Sequence, residues 1–270
     1  MNNTRLFCTC ELFSRLQLTI CYVLFVISVA VLGPGCAGLK NTKPPVFDIE
    51  ALKSAYRIKH INNDIRSFSG IGWLYISNRK QQKEKFRIAF AALVPDKIRL
   101  TLMISGLPVE TIIADGRKII FLSHTGKHKI YKINDPDPSL ARIISIPVKI
   151  KDIIALLSGR IPLKNFDYAY FLKKEKSRGS TLVLNQQRGG NIQKIISDPE
   201  GIVRKYDCFD NRKRIIYSIL FDDYKSLGQF HIPQKINIMD RSGRKINLKI
   251  TGYNANIPVK DSVFTLTESG

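Results

Sequence analysis

From Phe68 to Tyr253 apolar residues return at every second position in run after run, with short polar turns between the runs. Alternation of that kind gives a strand one apolar and one polar face, whereas a helix needs apolar residues every three or four positions. Phe86, Ile88, Phe90 and Ala92 share one face of one run, and Ile98, Leu100, Leu102 and Ile104 share one face of the next. Lys97, Arg99 and Thr101 lie opposite the latter. Phe68–Ser77, with the only tryptophan, Trp73, comes before them. Val109–Ala114, Arg117–Ser123 and Lys127–Ile133 follow, joined by the turn pairs Asp115-Gly116 and Thr125-Gly126. A second series covers Thr181–Gln187, Asn191–Asp198, Ile202–Phe209, Arg214–Asp222, Gln234–Asp240 and Lys245–Tyr253, with Arg241-Ser242-Gly243-Arg244 as a hairpin turn. About eleven or twelve short strands in tight succession make an antiparallel meander, so the fold class is α+β built on one curved sheet.

Helical spacing occurs in two places. Ile49, Leu52, Ala55, Tyr56 and Ile58 give an amphipathic helix from Asp48 to about Ile65, with Glu50, Lys53, Arg57 and Lys59 on its charged face. Mid-chain, Asp135-Pro136-Asp137-Pro138 breaks the meander, and helical segments are expected at Ser139–Ser145 and Pro147–Ser158. In the second, Ser145 can cap, Pro147 can open and Gly159 can close the helix. Its stripe is Ile150, Ile153, Ile154 and Leu157. A concave face of Trp73, Phe90, Leu100, Leu102 and Ile112 has to be covered, and this helix is a suitable lid. Two outcomes stay open: a groove between lid and sheet that accepts acyl chains, or a filled core.

The N-terminus has a different character. Leu16–Leu32 is seventeen residues without a charge, behind Arg5 and Arg15, and Gly33-Pro34-Gly35-Cys36 follows it. This reads as a secretory signal ending in a lipoprotein-type cysteine, with acylation on Cys36 and cleavage before it. An uncleaved anchor is the alternative, since the run falls just short of the ~20 residues that span a bilayer. Residues 1–35 are thus expected to be signal, 36–47 a lipidated tether with Pro44-Pro45, and 48–270 a single domain. Cys8, Cys10 and Cys21 would leave with the signal, so Cys208 is the one thiol left beside an acylated Cys36, and it reads as a small buried apolar group.

Removing residues 1–35 takes away Arg5, Arg15 and Glu11, which changes the net charge from +21 to +20. In a cytosolic chain that balance would point to nucleic acid. In an exported one the anionic partners are lipid headgroups. No dense basic tract occurs, and most basic residues, such as Lys97, Arg99, Lys245 and Lys249, read as a solvated outer face.

Reactive constellations are missing. His124 and His128 flank a turn without a third ligand nearby, so no metal site is expected. Asp222-Asp223 and the pair Asp135 and Asp137 read as turn caps, and Ser158-Gly159 lacks the context of a nucleophile elbow. There is no Gly-rich phosphate loop and no Cys-x-x-Cys. The expectation is a protein without cofactor or catalysis.

The order of helix, strands, mid-chain helical lid and further strands resembles the half-barrel family of the periplasmic lipoprotein carrier LolA and the outer-membrane receptor LolB, across Asp48 to Ile257. Leu140–Leu163, Ile98–Ile113 and Ile232–Tyr253 are closest to LolB: a helical pair ending in Leu-x-Gly before a Pro, a strand–loop–strand, and a closing basic-apolar hairpin. The family loop runs Pro-Leu-Gly where this chain has Gly106-Leu107-Pro108, and the tail Asn256–Gly270 is closer to carrier-type relatives. The resemblance implies a half-barrel of about eleven strands with an N-terminal helix and a lid over its concave face. It implies an outer-membrane lipoprotein that binds acyl chains of lipoproteins or lipids and aids their insertion. Its groove would comprise Trp73, Phe90, Leu100, Leu102, Ile112, Ile150, Ile153, Ile154 and Leu157, with Leu107 touching membrane. Partners would be the membrane, lipidated proteins or lipids, and a periplasmic carrier. Ala37, after the acylated cysteine, implies outer-membrane sorting. The rival is a structural or sensory envelope lipoprotein using the same fold to hold a protein partner.

Overall fold

Neighbouring strands in this chain pair antiparallel throughout, as tight turns between alternating runs require. The computed structural model describes residues 48–77, 83–125, 130–135, 137, 139–140, 146–175, 179–187, 190 and 192–266. The signal segment, tether, Cys36, His128 and residues 141–145 of the first mid-chain helical segment lie outside them. One compact unit spans Val46–Gly270.

Its sheet has thirteen strands, more than the eleven or so expected. They are β1 Ser67–Ser77, β2 Lys83–Leu93, β3 Lys97–Ile104, β4 Leu107–Asp115, β5 Ile119–Ser123 and β6 Ile130–Ile133, then β7 Tyr168–Glu175, β8 Gly179–Asn185, β9 Ile192–Ser197, β10 Val203–Phe209, β11 Ile215–Leu227, β12 Phe230–Asp240 and β13 Lys245–Ala255. The strand missed by alternation is β7. Its apolar residues Tyr168, Ala169, Tyr170, Phe171 and Leu172 are consecutive, so no period of two is visible.

The spatial order runs β6 to β1, then β13 down to β7. Two meanders therefore meet where the first strand pairs with the last, and the curved sheet stays open between β6 and β7. Paired residues share a face. One concave row runs Tyr253–Gly70–Phe90–Leu100–Ile112–Phe121 across six strands. Trp73 is not on that face. It stands opposite Arg87 and Lys249, between Gly72 and Leu74, whose side of the sheet is the concave one. Gly70 and Gly72 hide the inward parity of β1, because glycine has no apolar side chain to register in the sequence.

Helix α1, Ile49–His60, opens on Asp48, whose side chain accepts from the Ala51 amide at 2.9 Å. It buries Ala51, Ala55 and Ile58 beside Ala169, Leu182 and Leu184, and the two alanines let it sit close to the sheet. Ile49 and Tyr56, expected on its apolar face, are exposed. The chain leaves the helix at Ile61, four residues earlier than expected.

Helix α2, Ile150–Leu157, follows the crossover from β6. Its N-cap is Lys149 rather than Ser145, and Pro147 lies before it. A bridge between Ser139 and Lys149, and the bond from the Leu140 amide to the Val148 carbonyl at 2.8 Å, hold 148–149 extended. Asp137 accepts from the Lys151 amide at 3.1 Å and so satisfies one free amide of the first turn. Gly159, at φ +72°, closes the helix as expected. A 3₁₀ turn, Asp261–Phe264, lays Phe264 against Ile113 and Ile120 on the convex side.

Candidate functional site: an apolar cavity and its mouth

The lid is eight residues long, about 12 Å by helical rise. Strands repeat every ~4.8 Å, so a helix of that length cannot cover the concave face of a thirteen-stranded sheet. A cavity of about 110 Å³ remains between them. Its lining consists of Leu, Ile and Val alone. Leu74, Ile88, Leu100, Leu102 and Ile112 come from the first meander, and Ile236, Ile238, Ile246 and Leu248 from the second. Leu140, Val148, Ile153, Leu156 and Leu157 close it from the lid side.

Five of the nine expected groove residues are thereby brought together: Leu100, Leu102, Ile112, Ile153 and Leu157. Phe90, Ile150 and Ile154 are at most 3 % exposed and belong to the core beside the cavity. Trp73 stands on the convex face. Of the lining residues that sequence reasoning missed, Ile236, Ile238, Ile246 and Leu248 of the second meander do alternate in the sequence. What it lacked was the β1–β13 pairing that swings the second meander under the lid.

Ile76, Leu102, Ile112 and Ile246 also line a wider opening of about 620 Å³. It lies where β1 and β3 end and β2, β4 and β13 begin, and it adds Phe86, Ile104, Val109 and Ile146. Glu84, Glu110, Arg244 and Lys245 stand at its edge. An apolar interior with a charged rim suits an amphipathic ligand whose apolar tail enters first.

On the rim is the β3–β4 turn. Ser105 and Gly106 have φ of +52° and +82°, the left-handed pair of a tight hairpin. Leu107 is the first residue of β4 rather than a turn residue, directly opposite Ile104. The two are 71 % and 50 % exposed, an apolar pair presented to solvent beside the opening.

The other end of the strands is tied shut. Arg160 donates to the carbonyls of Asn62, Asn63 and Ile65 at 2.8–3.2 Å. The Asn62 side chain donates to Ser158 and His231 carbonyls at 3.0 and 2.9 Å. Burial, with neighbouring Arg66, lowers the Arg160 pKa from its ordinary value. Beneath the lid, Lys164 donates to both Asp152 oxygens at 2.8 and 2.9 Å. Gln193 accepts from the Lys164 amide at 2.8 Å and from Tyr206 at 3.1 Å.

Cys208 is buried beside Tyr206 and Tyr217, and burial pushes its thiol pKa up, which fits an apolar filler. The His124 ring is 2.9 Å from the Thr111 hydroxyl. Asp223 lies inside β11, not at a strand end, and pairs with Lys235. Among the described residues no three His, Cys, Asp or Glu side chains gather as a metal site.

No family model matches the sequence. A search of curated proteins likewise finds no match. Solved structures do match. A LolA superfamily protein from Nitrosomonas europaea superposes with a TM-score of 0.56 at 12 % identity, over 80 % of this chain and 97 % of that one. A DUF1329 family protein from Desulfovibrio piger gives 0.59 at 9 % identity, over 80 % and 96 %. The chain has a LolA/LolB-like fold, an open half-barrel with helices.

Proposed function

We propose that this LolA-like half-barrel is the soluble domain of a lipoprotein, acylated at Cys36 and sorted to the outer membrane, that binds acyl chains and helps place lipids or lipidated proteins in the bilayer. The observation that carries the reading is the all-apolar cavity left open between α2 and the sheet, continuous in its lining with the mouth. An apolar void of roughly 150 Å³ stays dry and takes up small apolar ligands, so about 110 Å³ accepts the end of an acyl chain, and the mouth takes the rest. The binding is non-covalent and uses no cofactor. Its driving force is burial of apolar area at ~25 cal/mol per Å². The exposed pair Ile104 and Leu107 beside the opening supports a membrane contact through which a chain leaves.

The test is saturable binding of a fluorescent fatty acid to the full chain in mild detergent, displaced by a lipopeptide. Leu102→Trp, which fills the cavity from the mouth side, weakens binding at least tenfold with an unchanged melting temperature. Non-saturable binding, or wild-type affinity in Leu102→Trp, would overturn the reading. Cys36→Ser abolishes palmitate labelling if that cysteine carries the anchor.

A further inference from the structure

We infer that the convex face over β13, β1 and β2 docks on the anionic headgroup surface of a membrane. Register fixes three parallel rows there: Lys249–Trp73–Arg87, Asn247–Tyr75–Lys85 and Lys245–Ser77–Lys83. Nine side chains thus form a grid with aromatic residues down the middle strand and five basic residues on its flanks. Lys83, Lys85, Arg87, Lys245 and Lys249 are all exposed. The Lys85 ammonium stands 4.3 Å from the centre of the Trp73 ring and 5.8 Å from that of Tyr75.

Elsewhere on this face three lysines are neutralised. Lys97 pairs with Asp261, Lys205 with Asp207 and Lys235 with Asp223. Among the described residues, none of the five grid cations pairs with a carboxylate, and the grid itself contains none. Lys83, Lys85 and Arg87 stand at alternate positions on one face of β2, where like charges repel. Exposed Ile71 and Met239 border it. Tryptophan and tyrosine settle at headgroup depth, and lysine and arginine draw anionic lipid. The occupant that satisfies both halves of the grid is a membrane surface. The grid starts at the same ends of β1, β2 and β13 as the mouth.

Trp73 is the single tryptophan of the chain and reports directly on the grid. The full chain is reconstituted in phosphatidylcholine vesicles with or without phosphatidylglycerol. With phosphatidylglycerol, Trp73 emission shifts to the blue and is quenched by a headgroup-level nitroxide lipid, and high salt reverses both. In the exposed variants Lys85→Gln, Arg87→Gln and Lys249→Gln, each lost charge weakens the response to phosphatidylglycerol on the order of fivefold. Circular dichroism melts matching wild type show that folding is intact. Equal emission in both vesicles, or a response unchanged in the triple variant, overturns the inference. So does an equal shift with polyglutamate in place of vesicles, which would make the grid a protein-binding surface. A failed fatty-acid assay leaves this emission change untouched, so this inference and the cavity reading fail separately.

Discussion

The ring of Phe90 lies across Gly70, directly opposite it in the β1–β2 ladder, where a side chain on residue 70 would stand. Phe68 and Tyr253 complete the cluster, with ring centres 5.6 Å apart in a stacked pair and Phe90 6.1 Å from Phe68. Gly70 therefore makes room for the Phe90 ring within a cluster of three aromatic rings.

Gly70→Ala must displace both the Phe90 ring and the Gly252 carbonyl behind it. Overpacking of this kind costs about 1–3 kcal/mol. Chemical denaturation measures it, and Phe90→Leu in the same chain recovers part of the loss. Gly106→Ala, where the added methyl meets nothing, loses only what its left-handed backbone requires.

Arg160 joins the end of α2 to the turn before β1 through three carbonyls, which no shorter cation reaches together. Arg160→Ala leaves half-buried acceptors unpaired and destabilises the domain by about 2–4 kcal/mol. Arg160→Lys recovers less than half, because an ammonium lacks the planar fork. Hydrogen exchange should show the α1–β1 turn opening first.

Leu107→Glu tests the rim pair. The side chain is 71 % exposed, so the melting temperature stays within a few degrees. Delivery of a bound lipopeptide to liposomes drops, while fatty-acid uptake into the cavity persists. Unimpaired delivery in Leu107→Glu with Ile104→Glu would remove the membrane role of the hairpin.

Alkaline pH separates folded from unfolded chain. Burial above all raises the phenols of Tyr206, Tyr217, Tyr224 and Tyr253 above their ordinary value of 10.0. The native state keeps protons that the unfolded chain releases near pH 10. Stability owed to these groups is present below pH 10 and is lost as pH rises beyond it. Melts from pH 8 upward should hold level and then fall, together with a delayed rise in tyrosinate absorbance.

Much of this architecture is legible in the order of residues. Period-two alternation alone marks twelve of the thirteen strands, since a half-buried strand needs one apolar face. The lid stripe and the Gly159 stop are local in origin, so they too can be read from neighbours in sequence. Of the five expected residues that line the cavity, Leu100, Leu102 and Ile112 follow from the same parity, and Ile153 and Leu157 from the lid stripe.

Three things were settled only by contacts made on folding. The β1–β13 pairing, across nearly two hundred residues, brings Ile236, Ile238, Ile246 and Leu248 under the lid. The bridge from Ser139 to Lys149 shortens α2, and that shortness leaves the cavity. Trp73 lies on the outer face, and Gly70 and Gly72, silent in any apolar pattern, occupy two of the inner positions of β1. Periodicity records which side chains share a face. Which face turns inward, and what the lid fails to cover, depends on partners that the chain reaches only when folded.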